Sequence, residues 1–147
     1  MSITNMLDLD LRGKRVMIRE DFNVPIKDGV ITDDTRIRAC IPTIQTALRQ
    51  EARIILISHL GRPKEGQYDK NLTLLPVAQR LETLLHQPIH LEKDWLNGLT
   101  VGAGKIVLCE NVRFNIGEEA NDELLARKMA ALCDIFVMDA FGTAHRA

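Results

Sequence analysis

Five short apolar runs, most of them rich in β-branched residues, recur along the chain with amphipathic helical segments between them. The runs are Arg15 to Arg19, Arg53 to Ser58, Pro88 to Leu91, Lys105 to Cys109 and Asp134 to Met138. Runs of this length and composition are typical of strands. Alternation of strands with helices predicts an α/β fold with a mostly parallel sheet. We therefore expect a three-layer α/β/α domain of Rossmann-like type.

The segments between these runs place apolar side chains at helical spacing. They are Ile37, Cys40, Ile41, Ile44 and Leu48, then Leu74, Val77, Leu81 and Leu85, then Leu125, Met129 and Leu132. Pro42 falls inside the first segment and predicts either a kink or the start of a second helical part. After the first strand, Lys27-Asp28-Gly29 separates Pro25-Ile26 from Val30-Ile31, which predicts a small β-hairpin.

Charge and hydropathy restrict the partners of this chain. Its 147 residues include 19 Lys and Arg against 20 Asp and Glu, for a net charge of −1. Nucleic-acid-binding domains usually carry a strongly basic face, so we expect no nucleic-acid partner. No stretch approaches the roughly 20 apolar residues that span a bilayer, and the amino terminus lacks the apolar core of a signal peptide. The sequence therefore predicts no membrane partner and a cytoplasmic location.

The three cysteines, Cys40, Cys109 and Cys133, lie far apart in apolar stretches. Without Cys-x-x-Cys or Cys/His spacing they predict neither a disulfide framework nor a metal site, and free thiols favour a reducing compartment. The chain also lacks a Gly-x-Gly-x-x-Gly fingerprint, and the segment from Gly98 to Ile106 lacks the spacing of a P-loop. No cofactor-binding residues are therefore predicted in this chain.

An arginine accompanies the end of four predicted strands. Arg19 ends the first strand, and Arg62, Arg113 and Arg146 follow the second, fourth and fifth. Ligands of open α/β sheets bind beyond the carboxyl ends of the strands. The planar guanidinium group fits carboxylate and phosphate oxygens in bidentate geometry. The four arginines together predict a site for a small anion, although an exposed ion pair with Glu110 is the simpler explanation of Arg113 alone.

Polar groups near the first strand extend this site. Asp21 and Asn23 follow the strand and are two residues apart. Their side chains can form hydrogen bonds with the hydroxyl groups of a ligand. Turn chemistry, in which such residues bond their own backbone, is the alternative explanation. Arg36 lies near the start of the first helix, where a surface salt bridge to Asp33 or Asp34 is its simplest role.

The loop after the second strand reads Ser58-His59-Leu60-Gly61-Arg62-Pro63. His59 and Arg62 are three residues apart and suit the same anion, while Gly61 permits close approach of a ligand or of backbone. An ordinary solvated loop is the alternative. Function is favoured, because binding residues concentrate in loops of this kind.

Four motifs resemble the amino-terminal, substrate-binding domain of the phosphoglycerate kinase family, and of its bacterial members in particular. They are Arg19-x-Asp21-Phe22-Asn23-Val24-Pro25, Ser58-His59-Leu60-Gly61-Arg62-Pro63, Glu110-Asn111-Val112-Arg113-Phe114 and Asp139-Ala140-Phe141-Gly142-Thr143-Ala144-His145-Arg146-Ala147. Their order and spacing extend through the whole chain. The resemblance implies a glycolytic enzyme that transfers a phosphoryl group reversibly between 1,3-bisphosphoglycerate and ADP, giving 3-phosphoglycerate and ATP.

The resemblance also implies roles for individual residues. It assigns substrate binding to Asp21, Phe22, Asn23, Arg36, His59, Leu60, Gly61, Arg62, Arg113 and Arg146. It places Arg36 beside the transferred phosphoryl group as the catalytic residue, and it places Arg19 and His145 in an outer basic patch.

In the family, a second domain carries glycine-rich loops that bind Mg-ATP or Mg-ADP, and the sequence contains no such loops. We therefore expect residues 1–147 to be an amino-terminal 3-phosphoglycerate-binding domain that is incomplete at its carboxyl end. We expect it to bind 3-phosphoglycerate at most, to hold no cofactor and to be inactive alone, with the complete enzyme monomeric. One alternative is a non-catalytic α/β module that binds a phosphorylated metabolite or an acidic partner. Another is a folded domain whose arginines are only surface charges.

Overall fold

The computed structural model describes residues 10–61, 67–96, 98–114 and 123–139, with residues 113 and 123–125 described by their backbone alone. The strands are β1 (Arg15–Arg19), β2 (Ile26–Lys27), β3 (Val30–Ile31), β4 (Arg53–Ile57), β5 (Ile89–Glu92), β6 (Ile106–Cys109) and β7 (Ile135–Met138). The α-helices are α1 (Thr35–Arg49), α2 (Leu75–Leu85) and α3 (Glu123–Ala130), and Lys70–Leu72 and Val112–Phe114 form short 3-10 turns. Among these described residues, no helix combines the length and apolar character needed to cross a membrane.

Five strands form one sheet in the order β5-β6-β4-β1-β7, and every neighbouring pair is parallel. The predicted parallel sheet is therefore confirmed. The carboxyl ends of all five strands lie at one edge, which we call the carboxyl edge. The predicted hairpin is also confirmed, because β2 and β3 pair antiparallel with Ile26 opposite Ile31.

Helices α1 and α2 cover one face of the sheet. Alternate residues of the central strands point toward them, as the two-residue period of a strand requires. The buried residues of this layer include Val16, Ile18, Ile54, Leu56 and Leu108 from the strands and Ile37, Ile44, Val77 and Leu81 from the helices. Helix α1 runs without interruption through Pro42. Pro42 therefore does not start a separate helix.

The opposite face of the sheet is covered by the loop between β5 and β6 and by the end of α3. This second core contains Met17, Ile55, Ile57 and Val107 from the strands, packed against Trp95, Val101, Leu132 and the half-buried Met129. Since β1, β4 and β6 bury side chains on both faces, their nearly continuous apolar sequences are explained. The three-layer expectation is confirmed, with part of the third layer supplied by a loop.

Candidate functional site

Two loops at the carboxyl edge, one following β1 and one following β4, are joined by hydrogen bonds. The Gly61 backbone N–H donates to Asn23 Oδ1 over 2.9 Å. The Phe22 backbone N–H donates to Ser58 Oγ over 3.0 Å, inside the core. Parallel neighbours β1 and β4 bring these loops together. The structure therefore unites the Asp21–Asn23 and His59–Gly61 segments, which the sequence placed far apart.

Arg36 lies against the first of these loops. Its Nη1 donates to the Asn23 carbonyl oxygen over 2.9 Å and lies 3.5 Å from Asp21 Oδ1. The Asn23 backbone N–H donates to the same Asp21 oxygen over 3.2 Å, so local turn chemistry is present as well. The Arg36 side chain is 57% exposed and the Asp21 side chain 35% exposed. A guanidinium and a carboxylate thus lie together at the carboxyl edge, within reach of a ligand in solvent.

The expected partners of Arg36 are engaged elsewhere. Asp34 accepts bonds from Arg38 Nε at 3.0 Å and from Arg80 Nη1 at 2.5 Å, which ties α1 to α2. The bond from Arg38, followed by that from Arg80, holds the pKa of Asp34 below its ordinary value. Asp33 accepts from the backbone and hydroxyl of Thr35, and these bonds lower its pKa. In the part of the chain that the structure describes, Asp21 lies within ion-pair distance of Arg36, and the charge of Arg36 also contributes to the lowered pKa of Asp33.

Gly61 has two physical reasons to be glycine. Its φ of +61° lies in the left-handed region that side chains disfavour. A Cβ at this position would also lie 2.7 Å from Leu72 Cδ2. The absence of a side chain therefore lets the loop turn against Leu72 while its N–H reaches Asn23.

Asn111 supports the loop after β4 from inside the protein. It is fully buried, and its Nδ2 donates to the Leu60 carbonyl at 2.8 Å and to the Leu72 carbonyl at 3.0 Å. Its Oδ1 accepts from the Leu60 N–H at 3.2 Å. The Asn111 side chain thus supplies hydrogen-bond partners to backbone groups of two loops. The motif analysis gave Asn111 no role, although a Glu-Asn pair directly after a wholly apolar strand is a signal for such a function.

Glu110, the residue before Asn111, is also polar and buried. Oε1 accepts from the backbone N–H groups of Leu74 at 2.7 Å and Asn111 at 3.0 Å, and Oε2 accepts from Thr73 Oγ at 2.5 Å. Because Glu110 is 2% exposed, it is not the solvent-exposed ion-pair partner that was considered for Arg113. Its carboxylate instead holds the start of α2, where a helix has unpaired N–H groups.

Of the remaining predicted site residues, some are buried, some are half-buried and some lie outside the described residues. Phe22 is fully buried and Leu60 is 4% exposed, so their side chains belong to the core and only backbone is left for a ligand. His59 is half-buried in the loop after β4, and Arg19 is half-buried at the end of β1. Outside the described residues lie Arg62, His145 and Arg146, as does the side chain of Arg113.

Among the described residues, one group offers the ligand atoms for a metal ion. It consists of Glu20, Cys40 and Asp139, whose potential ligand atoms all lie within 4.8 Å of one another. None of the three was a predicted ligand. They come from three distant parts of the sequence, and no local spacing connects them.

Comparisons with known proteins agree with the motifs. A family model described as phosphoglycerate kinase matches residues 6–147. Phosphoglycerate kinases of Legionella pneumophila strains Corby and Paris are 59% and 60% identical over 147 residues, which is 100% of this chain. The chain spans 37% of the length of these curated relatives.

Solved structures give the same result at the level of the fold. The structure of phosphoglycerate kinase from Coxiella burnetii matches with a TM-score of 0.90 and 56% identity, over 94% of this chain and 35% of that one. The crystal structure of phosphoglycerate kinase from Pyrococcus horikoshii OT3 matches with a TM-score of 0.82 and 30% identity, over 97% of this chain and 38% of that one.

Proposed function

Because the chain belongs to the phosphoglycerate kinase family, we propose that it forms the 3-phosphoglycerate-binding part of a kinase. This kinase transfers a phosphoryl group reversibly between 1,3-bisphosphoglycerate and ADP, giving 3-phosphoglycerate and ATP. The observation that carries the proposal is the position of Arg36 against the Asp21–Asn23 turn, at the carboxyl edge of the sheet. In this proposal, residues 1–147 are the amino-terminal domain of a monomeric, cytoplasmic enzyme.

Asp21 and Asn23 are proposed to bind the hydroxyl group of the substrate. Asn23 Oδ1 already accepts the Gly61 N–H, so its amide NH₂ is the group that can donate to a ligand. The Asp21 carboxylate accepts hydrogen bonds and is one-third exposed. Together they supply one donor and one acceptor, which is what a hydroxyl group requires.

The anionic groups of the substrate are assigned to a basic pocket. Its members are His59, Arg62, Arg113 and Arg146, with Arg19 and His145 on its outer side. Phe22, Leu60 and Gly61 contribute backbone, and the absence of a side chain at Gly61 favours close approach. Binding through these groups is largely electrostatic and therefore weakens as salt screens the charges.

Arg36 is proposed to lie beside the transferred phosphoryl group. In the direction of ATP use, the acceptor is a carboxylate that is already ionised near neutral pH, so the reaction needs no general base. Catalysis then depends on positioning and on stabilising negative charge, both of which a guanidinium supplies. Asp21 and the Asn23 carbonyl hold this guanidinium in place before substrate binds.

The nucleotide, with its Mg²⁺, is proposed to bind to a part of the enzyme outside residues 1–147. Transfer then requires the two parts to close on each other. A coupled assay on the 147-residue chain alone should show no turnover. Turnover by this chain alone would refute the placement of the nucleotide site.

Calorimetry with 3-phosphoglycerate tests the binding proposal, with Arg36→Ala compared against Arg38→Ala. Both arginines are exposed on α1, but Arg38 pairs with Asp34 away from the site. A hydrogen bond to a charged group contributes about 1.5–3 kcal/mol, so Arg36→Ala should weaken binding by more than about tenfold. Arg38→Ala should bind like the unmodified chain. Absence of heat at millimolar ligand with a folded sample, or equal losses in both variants, would contradict the proposal.

A further inference from the structure

Glu20, the residue directly after β1, lies inside the protein without a hydrogen-bond partner. It is 1% exposed, and neither carboxylate oxygen has a partner. The other buried polar side chains of the described residues, Ser58, Glu110 and Asn111, are all hydrogen-bonded. A buried carboxylate is costly unless it is paired, protonated or bound to a metal. The environment of Glu20 therefore calls for either a proton or a cation on this carboxylate.

Two further side chains complete a cluster around Glu20. Cys40 Sγ and an Asp139 carboxylate oxygen lie within 4.8 Å of the Glu20 carboxylate and of each other. Cys40 is 4% exposed, and Asp139 is half-buried. As carboxylates, Glu20 and Asp139 have no donor between them, so only a proton or a cation can bridge them. A proton would link the two carboxylates alone, whereas a cation would engage the Cys40 sulfur as well.

The backbone on which the cluster stands is fixed by the sheet and by α1. The Glu20 N–H donates to the Ile57 carbonyl and the Asp139 N–H donates to the Arg19 carbonyl, both at 2.9 Å. Cys40 lies one turn after Arg36 in α1, with its Sγ 3.2 Å from the Arg36 carbonyl. Ligands placed on regular elements hold their geometry well.

The donor set selects among metal ions. Mg²⁺ and Ca²⁺ prefer oxygen ligands alone, and Cu(I) prefers sulfur, whereas Zn²⁺ accepts cysteine and carboxylate together. With Zn–S near 2.3 Å and Zn–O near 2.0–2.2 Å, tetrahedral ligand atoms lie roughly 3.5 Å apart. Separations of at most 4.8 Å therefore need to close by little more than about 1 Å.

We propose that Glu20, Cys40 and Asp139 form a site for a divalent cation of the zinc class, with water as the fourth ligand. Burial, followed by the effect of Asp139, raises the pKa of Glu20 to about 10. Burial, followed by the charge of Glu20, also raises the pKa of the Cys40 thiol. Because metal ligands bind in their deprotonated forms, metal binding at this site releases protons. The proposal is independent of the substrate site, although Glu20 adjoins Asp21 in sequence.

Titration of the reduced, metal-free protein with Co²⁺ near neutral pH tests the proposal. We expect a thiolate-to-cobalt charge-transfer absorption that saturates at one Co²⁺ per chain and is removed by Zn²⁺. Cys40→Ser should abolish it. Cys133→Ser is the matched control, because Cys133 is a half-buried thiol next to Asp134, and this variant should keep the absorption.

Two further measurements keep the test decisive if Cys40→Ser does not fold. Glu20→Gln keeps the size of the side chain. Loss of a hydrogen bond to a metal ligand lowers metal affinity by roughly tenfold, and Glu20→Gln should weaken Zn²⁺ binding by more than that. Calorimetry in buffers of different ionisation enthalpy should report proton release on Zn²⁺ binding, and Cys40→Ser should reduce it. A folded protein with no charge-transfer absorption, or Cys133→Ser losing it instead of Cys40→Ser, would overturn the proposal. Glu20 and Asp139 would then share a proton.

Discussion

Replacement of Asn111 by alanine should destabilise the protein and loosen the loop after β4. The side chain makes three hydrogen bonds to backbone, two to Leu60 and one to Leu72. Each contributes about 1 kcal/mol net, and a buried group left without a partner costs about 1–3 kcal/mol. We therefore expect Asn111→Ala to lower the free energy of unfolding by about 4–6 kcal/mol. Domains of this kind have about 5–15 kcal/mol in total, so the loss is large.

Urea unfolding followed by circular dichroism measures this loss, and Asn71→Ala is the matched control. Asn71 is exposed in the short turn before α2, so its replacement should change the free energy of unfolding by less than about 0.5 kcal/mol. Hydrogen exchange provides a local readout, because the Leu60 amide loses its acceptor in Asn111→Ala. A loss below about 1 kcal/mol, with unchanged exchange at Leu60, would refute the supporting role of Asn111.

Two other substitutions test the loop and the helix pair. Gly61→Ala should destabilise the protein by about 1–2 kcal/mol in thermal unfolding, because alanine disfavours the left-handed conformation and its Cβ would meet Leu72; an unchanged Tm would contradict this. Asp34→Asn removes the partner of Arg38 and Arg80 and should lower stability at pH 7. The pKa of Asp34 is lowered in the folded state, so this stabilisation is present above the unfolded pKa and is lost as pH falls. The difference between Asp34→Asn and the unmodified protein should therefore shrink in urea unfolding as pH falls from 7 through the lowered folded-state pKa of Asp34, and a difference that does not depend on pH would refute the assignment.

The central strands of the sheet could be predicted because they are buried. Central strands of a parallel sheet are apolar on both faces, so runs such as Ile54 to Ile57 stand out in the sequence. Some predicted strand ends differ from the observed ends by one residue. The third run was expected from Pro88, but β5 begins at Ile89, since proline has no N–H for the sheet.

Long-range polar contacts could not be predicted from the residues alone. Asn111 bonds to Leu60, which is 51 residues away, and no local pattern specifies that pair. The residues alone predict a pair between Arg36 and Asp33 or Asp34, just before α1. Arg36 instead lies against Asp21, while Asp34 is occupied by Arg38 and Arg80 and Asp33 by Thr35. Side-chain competition of this kind depends on the fold.

The cluster of Glu20, Cys40 and Asp139 shows the same limit. Cysteine spacing gave no indication of a metal site, because only the β1–β7 pairing and the packing of α1 bring the three side chains together. The residues that carry the family resemblance were identifiable because they are contiguous in sequence.

Amide chemical shifts during titration with 3-phosphoglycerate test the proposed site most directly. The proposal predicts saturable shifts at Asp21–Asn23 and His59–Gly61, since these backbone groups lie at the carboxyl edge beside Arg36. Arg15 and Arg53 begin β1 and β4 at the opposite edge and should not respond. Shifts confined to Arg15 and Arg53, or none at millimolar ligand in a folded sample, would contradict a substrate site at the carboxyl edge.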